Sequence, residues 1–187
     1  TAAGRDPSLL AQNELWPDHI IEVEPQGATD GNIVWRWNSW DHLIQDHDQN
    51  QANYGAPSEH PELIDINFAS SGNADWLHIN SIDYNAAHDQ IILSAHNLNE
   101  VWIIDHSTTS SEAASHQGGN SGKGGDLLYR WGNPQTYGAG TSTDERLFGQ
   151  HDAQWIESGL SGAGEVLIFN NGADRQEGNY SKVEQIA

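Results

Sequence analysis

Short apolar runs separated by turn-forming residues set the pattern of this chain. The segment 20–37 (IIEVEPQGATDGNIVWRW) predicts a strand, a turn and a second strand that ends in Trp-Arg-Trp. The segment 101–109 (VWIIDHSTT) predicts a first strand of the same kind. After an insertion, its partner strand follows at 124–132 (GGDLLYRWG) and ends in Tyr-Arg-Trp. A third copy begins at 180–187, so the chain carries a repeated strand–turn–strand unit.

Four further short strands are predicted, each bounded by Gly, Asn, Asp or Ser: 79–84, 90–94, 153–157 and 165–170. Because strand, turn and strand recur in similar units, we predict an all-β fold, and within that class a β-propeller. Residues 1–187 would form one partial propeller domain. The third copy stops after a single strand, so we expect the chain to be a fragment of a longer repeat protein.

Two segments interrupt the predicted strands. The segment 41–61 is polar and contains Gly and Pro, and the segment 107–125 is rich in Ser and Gly. We interpret both as long loops, which in compact domains often carry function. The tryptophans at the ends of the repeated units, Trp35, Trp37 and Trp131, are expected to pack between blades and not to stack on a substrate.

Composition narrows the classes of partner. The 187 residues include 27 Asp and Glu against 7 Lys and Arg, a formal net charge of -20. Such a field repels nucleic acid and anionic membranes, so neither is an expected partner. The chain contains no Cys, which excludes disulfides, iron–sulfur clusters and thiolate-bound zinc. No apolar run reaches the roughly 18 residues that a membrane helix needs, so we expect no membrane insertion.

Two loop segments resemble ligand-binding motifs but depart from them. The segment 46–50 begins like an EF-hand calcium loop, but Gln51 replaces the expected Gly and Pro57 replaces the expected Glu. We interpret it as an acidic loop, with calcium binding as the alternative. The segment 118–125 (GGNSGKGG) lacks the Gly-Lys-Ser/Thr ending of a phosphate loop, so we reject a nucleotide site.

Polar side chains gather at the ends of the predicted strands. His78 precedes the strand at 79–84, and His151 has the same position relative to the next unit. Asn171 and Arg175 follow the strand at 165–170. In a propeller, equivalent strand ends meet at the central channel, so these side chains are expected to form one pocket. Without further information, His78 and His151 could equally be structural residues that bond the backbone.

The other polar candidates have weaker signals. His96 follows a strand, which fits either the rim of the pocket or an exposed loop. Asn80 and Asn171 fit either ligand contacts or turn formation. His106 is expected to brace a turn with Ser107 and Thr108. The remaining histidines of the polar segment are expected to be solvated: His42, His47 and His60.

A set of short motifs, in this order, is similar to the bacterial arylsulfotransferase family: D-W-x-H-x-N-S-x-x-Y (75–84), I-D-H-S-T-T (104–109), R-W-G-N-P (130–134), Q-H-D-A-x-W (150–155) and F-N-N-G-x-x-R (169–175). The resemblance extends from about Trp16 to the end of the chain. Each motif alone is weak, but the set is specific.

The resemblance implies a six-bladed propeller located in the periplasm or outside the cell. It also implies transfer of a sulfuryl group from a phenolic sulfate ester to a phenol through a sulfohistidine, with no cofactor. His78 and His151 match the pocket histidines of the family, and Arg175 matches its sulfate-binding arginine. Asn80, His96 and Asn171 are the candidate substrate contacts. The family's nucleophilic histidine would lie downstream of Ala187.

Two other functions remain open at this point. The first is a propeller that has lost the chemistry and acts as a binding or structural module, as a homo-oligomer or within a surface assembly. The second is a quinoprotein-like dehydrogenase, which Trp-rich blades also suggest. A bound redox cofactor with a visible absorption band would distinguish this second alternative.

Overall fold

The computed structural model describes residues 2–10, 13–68, 73–175 and 177–187. Its strands are β1 (His19–Gln26), β2 (Asp30–Asn38), β3 (Leu43–Ile44), β4 (Ile64–Asp65), β5 (Ile79–Asn85), β6 (Gln90–Ala95), β7 (Glu100–Asp105), β8 (Tyr129–Trp131), β9 (Gln150–Trp155), β10 (Val166–Asn170) and β11 (Lys182–Ile186). The helical segments are α1 (Ser110–Ala113) and short 3-10 helices at Ala2–Gly4, Pro7–Leu9, Ser39–His42, Pro57–Glu59, His96–Leu98 and Pro134–Tyr137.

The main sheets are antiparallel and follow the repeat seen in the sequence. β5, β6, β7 and β8 form a four-stranded sheet in chain order, and β9, β10 and β11 form a three-stranded sheet. β1 and β2 form a hairpin, while β3 and β4 form a small parallel pair. Within the repeat, β2 corresponds to β8, since their ends carry the Trp-Arg-Trp and Tyr-Arg-Trp sequences.

The predicted strands are found, but two units differ from the prediction. The strand predicted within 101–109 ends at Asp105, its partner predicted within 124–132 is only Tyr129–Trp131, and β9 starts earlier than predicted. This strand begins at Gln150, three residues before the predicted start at Ala153. The pairing with β10 shifts register between Leu167 and Phe169, and Asp152 has a φ of 53°. This β-bulge breaks the alternation of side chains, so the sequence pattern did not reveal the first three residues of the strand.

Both faces of the central strands β6 and β7 are buried, which explains the nearly continuous apolar sequence of β6. On one face the strand packs with Trp35 and Trp37 of the β1–β2 hairpin. On the other face Ile92 packs with β9 and β10, and Trp131 lies against this second cluster. The three tryptophans therefore pack between sheets, as predicted.

Side chains of β5 bind the backbone of β9, which runs beside it in the same direction. Asn80 Nδ2 donates to the carbonyl of Gln150 (2.9 Å), and Ser81 Oγ accepts the N–H of Ala153 (3.0 Å). The Asp83 carboxylate accepts the N–H of Trp155 (2.8 Å). Since an unpaired strand edge exposes backbone donors and acceptors, these contacts satisfy the edge of β9 and fix the two sheets relative to each other.

The structure confirms the all-β class. The sheets are open, and the described residues do not form a closed ring of sheets, so the propeller stays a prediction. None of the helices in the described part of the chain is long and apolar enough to cross a membrane.

The two interrupting segments, predicted as long loops, contain short elements of regular secondary structure. The segment 41–61 contains β3 and the Pro57–Glu59 helix, and it buries Leu43 and Ile44 in the core. The segment 107–125 contains α1, whose start is capped by reciprocal hydrogen bonds between Thr109 and Glu112.

Four histidine predictions in or beside these segments have different outcomes. His47 and His60 are exposed, as expected. The prediction for His42 was wrong, because its side chain is fully buried and bonded to Asp126. His106 bonds the carboxylate of Asp89 (2.7 Å), and it is the neighbouring Asp105 that holds the turn.

Candidate active site

The strand ends of two sheets bring the predicted polar residues to one edge. His78 precedes β5, and His96 follows β6, the antiparallel partner of β5. His151 lies near the start of β9, and Asn171 follows its partner β10. The start of one antiparallel strand and the end of its neighbour lie at the same end of the sheet. Because β5 also runs beside β9 in the same direction, the four side chains converge.

The three imidazoles form a row. The ring centroids of His78 and His96 are 5.3 Å apart at 70°, and those of His96 and His151 are 5.2 Å apart at 72°. The His78 side chain is half exposed, whereas His96 and His151 are partly buried. His96 therefore belongs to the row itself and not to an exposed loop.

Each of the three rings is held through its Nδ1 atom by an oxygen. His78 Nδ1 lies 2.5 Å from Asp75 Oδ2, His96 Nδ1 lies 2.8 Å from Asn97 Oδ1, and His151 Nδ1 lies 3.2 Å from the carbonyl of Gly149. For His78 and His96, a proton on Nδ1 satisfies the acceptor and leaves the lone pair on Nε2. His151 Nδ1 also lies 3.1 Å from Asn171 Nδ2, which can only donate, so the tautomer of His151 is set by which of its two neighbours it bonds. Within the described part of the chain, none of the three Nε2 atoms has a hydrogen-bond partner.

The position of His151 differs in one detail from the prediction. It is the second residue of β9, opposite Phe169, whereas His78 stands just outside β5. The bulge at Asp152 accounts for this offset. His78 itself has a φ of 50°, in the left-handed region, so its backbone conformation is a strained one that aims the ring away from the strand.

The two candidate asparagines have different roles. Asn171 Nδ2 lies 3.1 Å from His151 Nδ1, so this amide belongs to the row of imidazoles. The Asn80 side-chain amide instead donates to the backbone carbonyl of Gln150. Its Oδ1 is buried and has no hydrogen-bond partner among the described residues. Asn80 is therefore a link between β5 and β9 in this structure, and it does not contact the histidines.

A cavity of about 330 Å³ opens beside the row, lined in part by His96, Phe148, Gly149 and Asn171. Gly149 has a φ of 65°, and a Cβ placed on it would lie 3.3 Å from His96 Nε2. A side chain at this position would be strained and would crowd the free ring nitrogen. The glycine keeps Nε2 of His96 accessible from the cavity.

Arg175 lies in a neighbouring cavity, not among the histidines. Its guanidinium carbon is 5.3 Å from the ring centre of Phe148 and 4.5 Å from that of Tyr180. The chain turns at Gly172 and carries Arg175 to the Tyr180 side, so the structure does not bring Arg175 into contact with the histidine row, and a pocket shared with His78 and His151 stays a prediction. Phe148 and Glu145 line both cavities, so the two are adjacent.

The cavity of Arg175 gathers charges of both signs around one buried guanidinium. Its volume is about 280 Å³, and its lining includes Arg146, Arg175 and Lys182 together with Glu145 and Glu177. Arg175 is buried, and its Nε and Nη2 atoms have no hydrogen-bond partner among the described residues. A buried guanidinium without an acceptor is unfavourable, and an oxyanion is the ligand that would satisfy it.

A partly buried carboxylate, that of Asp18, holds the backbone next to His78. Asp18 accepts the backbone N–H of Ile79 (2.9 Å), the residue that follows His78. Burial raises the pKa of Asp18, and the nearby Asp75 carboxylate raises it further. This contact ties the segment before β1 to the start of β5.

The family assignment rests on nearly the whole chain. A family model described as Arylsulfotransferase (ASST) matches residues 6–186. The chain belongs to the arylsulfotransferase family. No significant match was found among curated proteins or among solved structures. Membership of the arylsulfotransferase family indicates an enzyme of the sulfotransferase type that acts on small molecules.

Several residues of the candidate site were not singled out from the sequence of this member of the arylsulfotransferase family. Asp75 stands three residues before His78 within the first motif, a spacing that could have identified it as the partner of the ring. Asn97 directly follows His96, and its Nδ2 donates to the carbonyl of Asp75 (2.6 Å). Nothing in the sequence signals Phe148. It lies just before β9 and lines both cavities in the folded chain.

Proposed function

We propose that this protein transfers a sulfuryl group from a phenolic sulfate ester to a phenol, through a sulfohistidine intermediate. The observation that supports this proposal is the row of His78, His96 and His151, whose central member His96 lines a cavity. The buried Arg175 of the adjacent cavity, which has guanidinium atoms without an acceptor among the described residues, supports an anionic substrate. Family membership supports the same type of reaction.

The chemistry matches these residue types. An imidazole lone pair forms the N–S bond while the bond from sulfur to the aryl oxygen breaks, and the leaving phenolate takes a proton from a second imidazole. The acceptor phenol then returns a proton and attacks sulfur, which frees the first imidazole. The family resemblance places the imidazole that accepts the sulfuryl group in a different segment from His78, His96 and His151.

In this proposal, His78 and His151 donate from Nε2–H to the leaving oxygen and the sulfuryl oxygens, and the ring that protonates the phenolate starts as an imidazolium. The Asp75 carboxylate orients the His78 ring and stabilises its imidazolium form. The Asn171 amide donates to His151 Nδ1 and so places the proton of the neutral His151 ring on Nε2. Proton delivery of this kind contributes about 100-fold or more to the rate.

Arg175 is proposed to bind the anionic end of the substrate from the adjacent cavity. A guanidinium fits the oxygens of a sulfate group, and each well-placed donor can stabilise the transition state by about 3 kcal/mol. Phe148, which lines both cavities, would lie beside the aryl ring.

The same reasoning extends to the whole protein. We propose that the four-stranded and three-stranded sheets are blades of a six-bladed propeller, since each presents its first strand, β5 or β9, at the shared edge. We propose a periplasmic or extracellular location on the family resemblance alone.

The test uses the full-length natural protein with 4-nitrophenyl sulfate, with and without a phenol acceptor. We expect nitrophenolate release that depends on the acceptor, and a protein adduct with the mass of one sulfuryl group when the acceptor is omitted. If several aryl sulfates all give no nitrophenolate release and no adduct, the proposal is refuted.

A matched pair of variants tests the site. His151→Gln should lower kcat/KM by about 100-fold or more. His88→Gln is the control, since His88 is exposed in the turn between β5 and β6, at the opposite end of the same strands. Equal activity of the two variants would show that the histidine row is not the active site.

A further inference from the structure

A second histidine cluster lies away from the row and plays no part in the proposed reaction. It consists of His42, His116 and Asp126, whose ligand atoms all lie within 4.8 Å of one another. His42 ends the Ser39–His42 helix, while His116 and Asp126 belong to the segment around the second insertion. Among the described residues, this is the group of three or more His, Asp or Glu side chains that could hold a metal ion.

Both imidazoles point the same atom at the same oxygen. His42 Nδ1 lies 2.8 Å from Asp126 Oδ1, and His116 Nδ1 lies 2.7 Å from that oxygen. The two rings meet edge to face, with centroids 5.9 Å apart. The two Nδ1 atoms and the carboxylate oxygen between them therefore form one compact group of three potential ligand atoms.

The other nitrogen of His42 fixes which atom carries the lone pair. His42 Nε2 lies 2.8 Å from the carbonyl of Ala113, which can only accept a hydrogen bond. Nε2 therefore carries a proton, and in the neutral ring Nδ1 has the lone pair facing Asp126. A lone pair opposite a carboxylate oxygen at this distance requires a cation between or beside them, either a proton or a metal ion.

The surroundings hold His42 as metal-binding histidines are held. A backbone carbonyl on the distal ring nitrogen is the usual second contact of a metal-ligating imidazole. The ring also stacks on Trp37, with centroids 5.6 Å apart and planes within 4°. Gly125 leaves room for the ring, because a Cβ there would lie 2.6 Å from His42 Nε2.

Access and charge favour a cation. His42 and Asp126 are buried, but the His116 side chain is 59% exposed and borders a cavity of about 480 Å³. An ion can therefore enter from the His116 side and displace little structure. The net charge of -20 raises the local concentration of cations around the protein.

We propose that His42, His116 and Asp126 bind one divalent transition metal ion, of which Zn²⁺ is the representative. Two neutral imidazole nitrogens and one carboxylate oxygen form a donor set that suits Zn²⁺ and related ions better than Ca²⁺ or Mg²⁺. The ligands join the start of the first insertion to the end of the second, so the ion would fasten the two segments together. Because His116 borders the cavity, water can reach the ion from that side and complete its coordination.

The experiment measures Zn²⁺ binding to the full-length protein after treatment with a chelator. Calorimetry with ZnCl₂ gives affinity and stoichiometry, and thermal unfolding reports whether Zn²⁺ stabilises the fold. The key variant is His116→Gln, because an exposed residue can be replaced without loss of folding. We expect one tight site in the unmodified protein, weakened by at least about tenfold in His116→Gln.

Two control variants separate this site from other histidines. His60→Gln removes an exposed imidazole that lines the same cavity and bonds Glu62. His96→Gln removes the centre of the imidazole row. We expect both to keep the tight site and the Zn²⁺-dependent rise in melting temperature. The proposal is overturned if His116→Gln binds Zn²⁺ as the unmodified protein does, if the loss follows His96→Gln, or if no tight site exists.

Discussion

The buried ion pair between Glu100 of β7 and Arg130 of β8 offers a sharp test of how the four-stranded sheet is held to the end of the first insertion. Glu100 is fully buried and Arg130 nearly so, with Nε–Oε1 at 2.9 Å and Nη2–Oε2 at 2.5 Å. Trp102 Nε1 also donates to the carboxylate (2.9 Å), while Arg130 Nη1 donates to the carbonyl of Leu63 (2.9 Å). Burial raises the pKa of Glu100, and the guanidinium opposes this shift.

Glu100→Gln keeps the shape of the side chain and removes the charge that compensates Arg130. Loss of one partner of a buried pair costs about 3–5 kcal/mol. Because Arg130 keeps its carbonyl acceptors, we expect the lower end, a fall of about 3 kcal/mol in the free energy of unfolding. Arg130→Met should cost a similar amount, whereas the double variant should cost less than the sum by at least about 2 kcal/mol.

Urea unfolding at pH 7 measures these differences. Lys182→Met is the control, since Lys182 pairs with Glu184 at a partly exposed site, and such pairs contribute about 1 kcal/mol or less. A loss below about 1 kcal/mol in Glu100→Gln, or additivity in the double variant, would show that the pair does not bind the strand to the insertion.

Two further changes test a buried carboxyl and a backbone turn. Burial raises the pKa of Asp65 from 3.8 to about 6, so the folded state holds the proton more tightly and ionisation above that pH reduces stability. Asp65→Asn should therefore raise the free energy of unfolding at pH 7.5 by up to about 3 kcal/mol, and by about half as much at pH 5; an equal effect at both pH values would contradict this. Gly172 and Gly27 have nearly the same φ (70° and 72°), but a Cβ at Gly172 would lie 2.0 Å from the carbonyl oxygen of Tyr180, whereas one at Gly27 would meet nothing within 4 Å. Gly27→Ala should cost about 1 kcal/mol and Gly172→Ala about 1–3 kcal/mol more in thermal unfolding, and equal losses would refute the clash.

The sequence predicts local strands well because the signal is local. The alternation in 20–37 and the turn residues around 79–94 define β1, β2, β5 and β6 almost to the residue. The prediction weakens where the backbone departs from regular pleating. The bulge at Asp152 hides the start of β9, since a single residue in the left-handed region reverses the face of the residues that follow.

Long-range partners explain what the sequence did not predict. His42 looks like a residue of a polar loop, but its partner Asp126 lies beyond the second insertion, and no local pattern connects them. Arg175 stands only four residues after Asn171, yet the turn at Gly172 sends the two side chains into different cavities. The motif set correctly gathers His78 and His151, because both follow from where the strands begin.

Among the described residues, His42 of the buried cluster is bonded through both ring nitrogens, whereas the rings of the row are bonded through Nδ1 alone, and this difference argues for different ligands. In the row, oxygens hold Nδ1 of His78, His96 and His151, and the Nε2 atoms at the tips of the rings are free to meet a substrate. In the buried cluster, a carbonyl holds Nε2 of His42, and the Nδ1 atom beside the backbone converges with His116 on a carboxylate. A row of free Nε2 atoms suits an extended anionic ester, whereas nitrogens gathered on one carboxylate oxygen suit a single cation. The backbone around each ring, and not the residue type, therefore decides which chemistry each cluster can perform.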